Sequence, residues 1–93
     1  MSFAVVNYVR LEDSAAAAAS TREVVVPRLR QLPGFEQAIF LADDATGRGF
    51  SVMVFASREQ ADEMATRLGN GDVPAPPGIA FDRQEVHEVV ATT

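Results

Sequence analysis

Asn7 is the polar residue whose setting most strongly indicates chemistry. It lies in the apolar run FAVVNYV, and strand alternation puts it on one face with Phe3, Val5 and Val9. A buried amide must find hydrogen-bond partners or cost about 1–3 kcal/mol. It could hold a substrate oxygen, or stabilise an enolate or peroxide. The structural alternative is an amide bonded to the backbone or placed at a sheet edge.

The single histidine and the single tyrosine are the next candidates. Beside a carboxylate, His87 could act as a general base near neutral pH. Tyr8 could bind a substrate or carry a proton. The alternatives are a solvated edge-strand histidine and an amphipathic sheet tyrosine. Alternation on the last predicted strand groups His87 with Phe81, Arg83, Glu85 and Val89.

Arginines on the first predicted helix could draw an acidic ligand toward a pocket. Of Arg22, Arg28 and Arg30, Arg28 lies nearest the apolar stripe and is the candidate ligand-binding residue. A solvated helix surface is the alternative. The glycines around Arg48 join two strands and open no helix, so they do not form a phosphate loop. Asp43-Asp44 lacks the spaced ligands of a calcium loop, and no metal site is predicted.

Composition narrows the functional classes. The 93 residues predict one domain, 1–93, of ordinary globular composition. A net charge of −5 argues against nucleic acid as a partner. The absence of cysteine excludes disulfides and thiolate chemistry. No apolar run is long enough to cross a membrane and the N-terminus lacks signal-peptide character, so a cytoplasmic location is expected.

The pattern predicts strands and helices in the order β-α-β-β-α-β. Two strand–helix–strand units around a hairpin make a ferredoxin-like α+β fold, a four-stranded antiparallel sheet with both helices on one face. The predicted strands are Phe3–Leu11, Phe35–Ala42, Phe50–Ala56 and Ile79–Val90, the helices are Ser14–Leu32 and Arg58–Leu68, and Asp43–Gly49 is the hairpin turn.

The first helix carries a proline, and two interpretations of it are open. Pro27 lies opposite the apolar stripe, so one long helix can bend on its solvent side. The alternative is a break near Ser20, where Ser20 and Glu23 have capping-box spacing. The same spacing of Ser57 and Gln60 predicts the start of the second helix.

Both faces of the predicted sheet are apolar. Two helices can cover only one face, and an exposed apolar face of that size is a liability. We therefore expect a homodimer that packs sheet against sheet, with a monomer bearing an open sheet as the alternative. The apolar residues on the two faces of each strand are as follows: on the first strand Phe3, Val5 and Val9 against Ala4, Val6 and Tyr8; on the second Phe35, Ile39 and Leu41 against Ala38, Phe40 and Ala42; on the third Phe50, Val52 and Val54 against Met53 and Phe55.

The segments VPRLRQLPGFEQAIFL, DDATGRG and FSVMVFASREQADEM resemble the antibiotic-biosynthesis-monooxygenase-like proteins of the dimeric α+β barrel superfamily. The resemblance covers nearly the whole chain and is strongest from Glu23 to Ala65. Its landmarks are Pro27 within the first helix, Pro33-Gly34-Phe35 at the start of strand two, and Ser57-Arg58-Glu59 after strand three.

This resemblance implies a homodimer whose sheets form a barrel, with a pocket between sheet and helices in each subunit. Some members oxidise aromatic polyketides without metal or flavin, so no cofactor is expected. In such members a first-strand asparagine contributes to the pocket, and Asn7 resembles it in position. Other members degrade haem with a pocket tryptophan and a helical histidine. This chain has no tryptophan and its His87 lies on a predicted strand.

Three functions follow from these observations. The first is a cofactor-independent monooxygenase that binds a small apolar or aromatic molecule, with Asn7 stabilising negative charge and His87 or Tyr8 handling a proton. The second is a non-catalytic ligand-binding or interaction homodimer. The third, a haem binder, is the least favoured.

Overall fold

The computed structural model describes every residue from Met1 to Thr93. Its sheet has the strand order β2-β3-β1-β4, and all neighbouring strands are antiparallel. This arrangement confirms the predicted ferredoxin-like fold. None of its helices has the length and hydropathy that a bilayer crossing requires. In chain order the elements are β1 (Phe3–Leu11), α1 (Ser14–Ser20), a π-helical turn (Thr21–Val25), α2 (Val26–Leu29), β2 (Phe35–Asp43), β3 (Arg48–Phe55), α3 (Arg58–Gly69) and β4 (Ile79–Glu88).

The first helix stays continuous from α1 through α2 and widens just before its proline. The Val26 N–H donates to the Thr21 carbonyl, five residues back. A π-helical turn of this kind makes room where a proline ring would meet the carbonyl of the preceding turn. The alternative break at Ser20 is wrong, because its backbone is helical and its side chain makes no cap. The helix ends at Leu29, earlier than the predicted Leu32.

The second helix, α3, begins and packs largely as predicted. The Ser57 hydroxyl accepts a hydrogen bond of 3.2 Å from the Gln60 N–H. The Gln60 side chain makes no return bond, and its Oε1 is buried without a partner. Three apolar residues of α3 join one apolar cluster with strand residues and Leu29. The cluster contains Val5, Leu29, Met53, Phe55, Ala61, Met64 and Leu68.

Two irregularities in the sheet change which residues share a face. Tyr8 pairs with Arg83 but Val9 pairs with Phe81, so β4 has one extra residue there. Phe81 therefore lies on the helix side, and its predicted grouping with His87 is wrong. A similar shift after Phe35 puts that ring on the helix side. Strict alternation fails at both places because a bulge adds a residue to one strand only.

The proline-rich loop before β4 ties down the N-terminal end of the first helix. The N–H groups of Glu12 and Asp13 donate to the Gly78 carbonyl, at 2.9 and 3.3 Å. The buried Ser20 hydroxyl donates to the Pro77 carbonyl at 3.0 Å. While α3 packs closely on β1, β3 and β4, the first helix lies farther from the sheet.

Gly78→Ala should destabilise the protein by about 2 kcal/mol, because its left-handed backbone and its close neighbours both reject a side chain. Its φ is 85°, and an added Cβ would lie 2.5 Å from the Asp13 carbonyl oxygen and 2.7 Å from the Ala17 nitrogen. The measurement is urea unfolding. Gly71→Ala is the matched control, since Gly71 has φ 83° with open space around it, and we expect it to cost about 1 kcal/mol. Equal losses in both variants would refute the contact argument.

Candidate functional site

A cavity of about 830 Å³ lies between the first helix, the sheet and the proline-rich loop. Of its 31 lining residues 20 are hydrophobic, and the volume falls within the range of small-molecule sites. The first helix contributes the small side chains Ala17 and Ala18. The alanine-rich segment therefore forms helix without filling the space beneath it.

A row of four side chains crosses the helix-facing side of the sheet at the cavity floor. The strand register places Phe40, Ser51, Asn7 and Gln84 next to one another, one on each strand. Asn7 and Ser51 are each only 5% exposed, and both line the cavity. The Gln84 Nε2 donates to the Asn7 Oδ1 at 2.9 Å.

Two donors of this row, on Asn7 and Ser51, make no hydrogen bond within the chain. With its oxygen occupied by Gln84, Asn7 presents its NH₂ group, which makes no hydrogen bond within the chain. The Ser51 hydroxyl makes none either, and the one polar side-chain atom sealed away without a partner is the Gln60 Oε1, elsewhere. Asn7 and Ser51 are paired across antiparallel strands, which brings their Cβ atoms close together. The Asn7 NH₂ group and the Ser51 hydroxyl can therefore donate to one ligand oxygen.

The rim of the cavity is positively charged. Arg22, Arg28 and Arg67 line it while remaining exposed to solvent, and Asp72 is the one acidic lining residue. Arg28, the ligand-binding candidate from the sequence, is one of these lining residues. The sequence interpretation missed Arg67 and Ser51. For Arg67 the available signal was its position next to the apolar stripe of α3, since it follows Met64 by three residues.

His87 and Tyr8 lie on the opposite face of the sheet from Asn7. Their register partners, Ala4 and Arg83, lie on that outer face, so the structure does not bring these proton-transfer candidates to the cavity floor. The His87 Nε2 is 3.1 Å from the Glu85 Oε1, and the Tyr8 hydroxyl donates to the same oxygen at 3.3 Å. The Arg83 guanidinium lies 4.0 Å from the centre of the Tyr8 ring.

The polar cluster on the outer face favours the charged form of Glu85. The hydrogen bond with His87 is the largest cause that holds the pKa of Glu85 below its ordinary value, and Arg83 and Tyr8 act in the same direction. Desolvation opposes them. No group of three or more His, Asp or Glu side chains is close enough together to hold a metal ion.

Comparison with known proteins identifies the fold. No family model matches the sequence, and no curated protein matches it significantly. Among solved structures, an asparagine-to-alanine variant of SnoaB, a cofactor-independent oxygenase from Streptomyces nogalater, superposes with a TM-score of 0.68 at 12% identity. The match covers 98% of this chain and 95% of SnoaB. The chain therefore has the fold of SnoaB, as its resemblance to the antibiotic-biosynthesis-monooxygenase-like proteins predicted.

Two further structures share this fold. HapK from Hahella chejuensis gives a TM-score of 0.63 at 14% identity, covering 98% of this chain and 95% of HapK. A haem-degrading protein from Mycobacterium tuberculosis gives 0.51 at 23% identity, covering 98% and 96%. Proteins with this fold are named for different activities, so the function of this chain must be inferred from the residues of its cavity.

Replacing His87 should raise the pKa of Glu85 toward its ordinary value, because the hydrogen bond that favours the carboxylate is lost. The measurement is an NMR titration of the Glu85 carboxyl carbon in the wild type and in His87→Ala, which has no side-chain donor. Since folding lowers this pKa, the stabilisation it brings is present above the unfolded-state pKa and is lost as pH falls through the folded-state value. Arg83→Gln should have a smaller effect, and an unchanged titration in His87→Ala would contradict the assignment.

Proposed function

We propose that this protein binds a small aromatic molecule in its cavity and oxidises it with O₂ without a cofactor. The observation that carries the proposal is a pair of unused hydrogen-bond donors on the largely buried residues Asn7 and Ser51, at the floor of a mostly apolar cavity. Its fold, shared with the cofactor-independent oxygenase SnoaB, supports the same interpretation.

The reaction must draw its electrons from the substrate. An electron-rich anthrone has a methylene between two rings and a carbonyl conjugated with it. Transfer of one methylene proton to solvent water gives an enolate, which O₂ oxidises. One oxygen atom becomes the new carbonyl, and the other leaves as water with the two methylene hydrogens. The balance R₂CH₂ + O₂ → R₂CO + H₂O needs no external reductant.

The floor of the cavity suits the enolate that this reaction forms. The Asn7 NH₂ and the Ser51 hydroxyl would both donate to its oxygen, in an apolar space where such bonds are strong. Gln84 acts through Asn7, since its bond to the Asn7 Oδ1 fixes which way the amide points. His87 and Tyr8 have no part in this scheme, because they lie across the sheet.

Asn7→Ala should reduce turnover about tenfold or more, because one donor to the developing oxyanion is removed. The probe is dithranol, a dihydroxyanthrone, followed by O₂ uptake and by the absorbance of the anthraquinone product. Background autoxidation is measured without protein and subtracted. Unchanged turnover in Asn7→Ala would remove this residue from the site.

Two variants control this experiment. Asn70→Ala makes the same substitution at an exposed turn residue that does not line the cavity, and it should leave turnover unchanged. Ala18→Phe adds a ring inside the cavity, and it should abolish dithranol binding while the circular dichroism spectrum is retained. Full activity in Ala18→Phe would place the reaction elsewhere.

A non-catalytic binding protein is the second candidate, and one observation favours it. The cavity floor presents neutral hydrogen-bond donors, which hold a ligand oxygen but do not remove a proton. The one acidic lining residue, Asp72, is exposed at the rim. A protein of this kind would bind dithranol without accelerating its oxidation. Haem is disfavoured as the ligand, because the single histidine lies on the other face of the sheet and cannot reach a group held in the cavity.

We further propose that two copies pack through the outer faces of their sheets. Ile39, Leu41 and Phe50 on this face are 56%, 46% and 41% exposed. Together with Val6 and Val52 they form an apolar surface that the chain's own helices, on the other side, cannot cover. Exposed apolar area of this kind favours a partner, and a second identical face is a self-complementary one.

Light scattering with size exclusion should give twice the chain mass of 10.0 kDa at micromolar concentration. Val52→Asp should shift the protein to the monomer, because it places a carboxylate in the middle of the apolar face. Asp62→Asn, on the exposed side of α3, serves as the control and should leave the dimer intact. A monomeric wild type would refute this proposal and leave the cavity chemistry untouched.

A further inference from the structure

The charge at the cavity rim is opposite to the charge of the whole chain. The net charge is −5, yet three of the chain's arginines, Arg22, Arg28 and Arg67, line the cavity with a single acidic residue, Asp72. They come from separate segments: the π-helical turn, α2 and the last turn of α3. The fold therefore gathers positive charge around one opening of an acidic protein.

None of these three arginines is neutralised within the chain. The ion pairs of the structure both involve Glu85, on the outer face of the sheet, with Arg83 and His87. Glu63 precedes Arg67 by four residues, the spacing that favours an ion pair on a helix, but no pair forms. The three guanidinium groups at the rim are thus free to bind an anion.

We propose that the ligand of this cavity is an aromatic carboxylic acid. Its rings would occupy the apolar interior, a ring oxygen would accept from Asn7 and Ser51, and its carboxylate would meet the arginines at the rim. Guanidinium groups suit this last contact because they bind a carboxylate through two parallel hydrogen bonds. The inference rests on the proposed function, since it names the class of substrate for the same cavity.

The donors at the floor distinguish this ligand from other apolar acids. A fatty acid offers the same carboxylate to the rim, but its other end is an alkyl chain with no oxygen for Asn7 and Ser51. Those two donors, on residues that are each 5% exposed, would then stay unpartnered beneath an alkyl chain, which weakens binding. An aromatic acid with a ring carbonyl or hydroxyl satisfies both ends.

The test compares anthraquinone-2-carboxylate with its uncharged carboxamide by isothermal titration calorimetry. The carboxylate should bind about tenfold more tightly than the carboxamide. Arg22→Gln, Arg28→Gln and Arg67→Gln should each weaken carboxylate binding about threefold or more and leave carboxamide binding unchanged. Carboxamide binding also reports that each variant is folded. Added salt should weaken binding of the carboxylate alone.

Arg30→Gln is the matched control, because Arg30 is an exposed arginine of the same helical region that does not line the cavity. Its affinities should equal those of the wild type. Equal binding of carboxylate and carboxamide, or an equal loss in Arg30→Gln, would overturn the inference. Dodecanoate binding as tight as that of the anthraquinone would overturn the aromatic part of it.

The outcomes separate this inference from the proposed function. If both anthraquinones bind equally and Ala18→Phe abolishes both, the cavity is a ligand site and only the acidic class is wrong. If neither binds, the proposed function fails, and the inference that rests on it fails as well.

Discussion

The distance between the first helix and the sheet is the constraint on which the rest of this structure depends. That helix is tied to the proline-rich loop at its N-terminal end through the Gly78 carbonyl, and farther along through the bond between Ser20 and Pro77. Alanines on its inner side do not reach the sheet, while Leu29 at its far end joins the core. A cavity results because the helix is held from both ends over a space that its side chains do not fill.

The sheet divides the polar groups of the protein into two chemically different sets. On the outer face Glu85, His87, Arg83 and Tyr8 interact with one another near solvent. On the inner face Asn7, Ser51 and Gln84 are neutral and largely enclosed. Enclosure favours neutral donors, because an unpaired charge in such a place would be costly to desolvate. Whatever the cavity binds therefore meets hydrogen-bond donors at the floor and positive charge only at the rim.

The outer face raises a different physical problem. Its β2 and β3 residues are apolar and exposed, and the polar cluster occupies only the side near β4. The two helices already cover the inner face, so this surface needs another layer. Partner and ligand would thus use largely opposite sides of one sheet, and Leu41 and Phe50 belong to both surfaces.

The local sequence was sufficient for most of the fold. Alternation and capping residues located four strands and the start of α3, because those signals act between neighbours in the chain. The presence of Asn7 on the core side of β1 also followed from alternation alone. The irregular places did not follow: the shifts at Phe35 and Phe81 depend on pairing with a partner strand, and the widened turn before Pro27 depends on how a helix accommodates its ring.

What the sequence determined by itself was the order of elements, the apolar character of both sheet faces and the candidate status of Asn7. Tertiary structure alone decided that Ser51 and Gln84 flank Asn7, that Arg67 joins Arg22 and Arg28, and that His87 and Tyr8 lie elsewhere. The reason is physical. Strand register and helix placement bring together residues far apart in the chain, and no local periodicity carries that information.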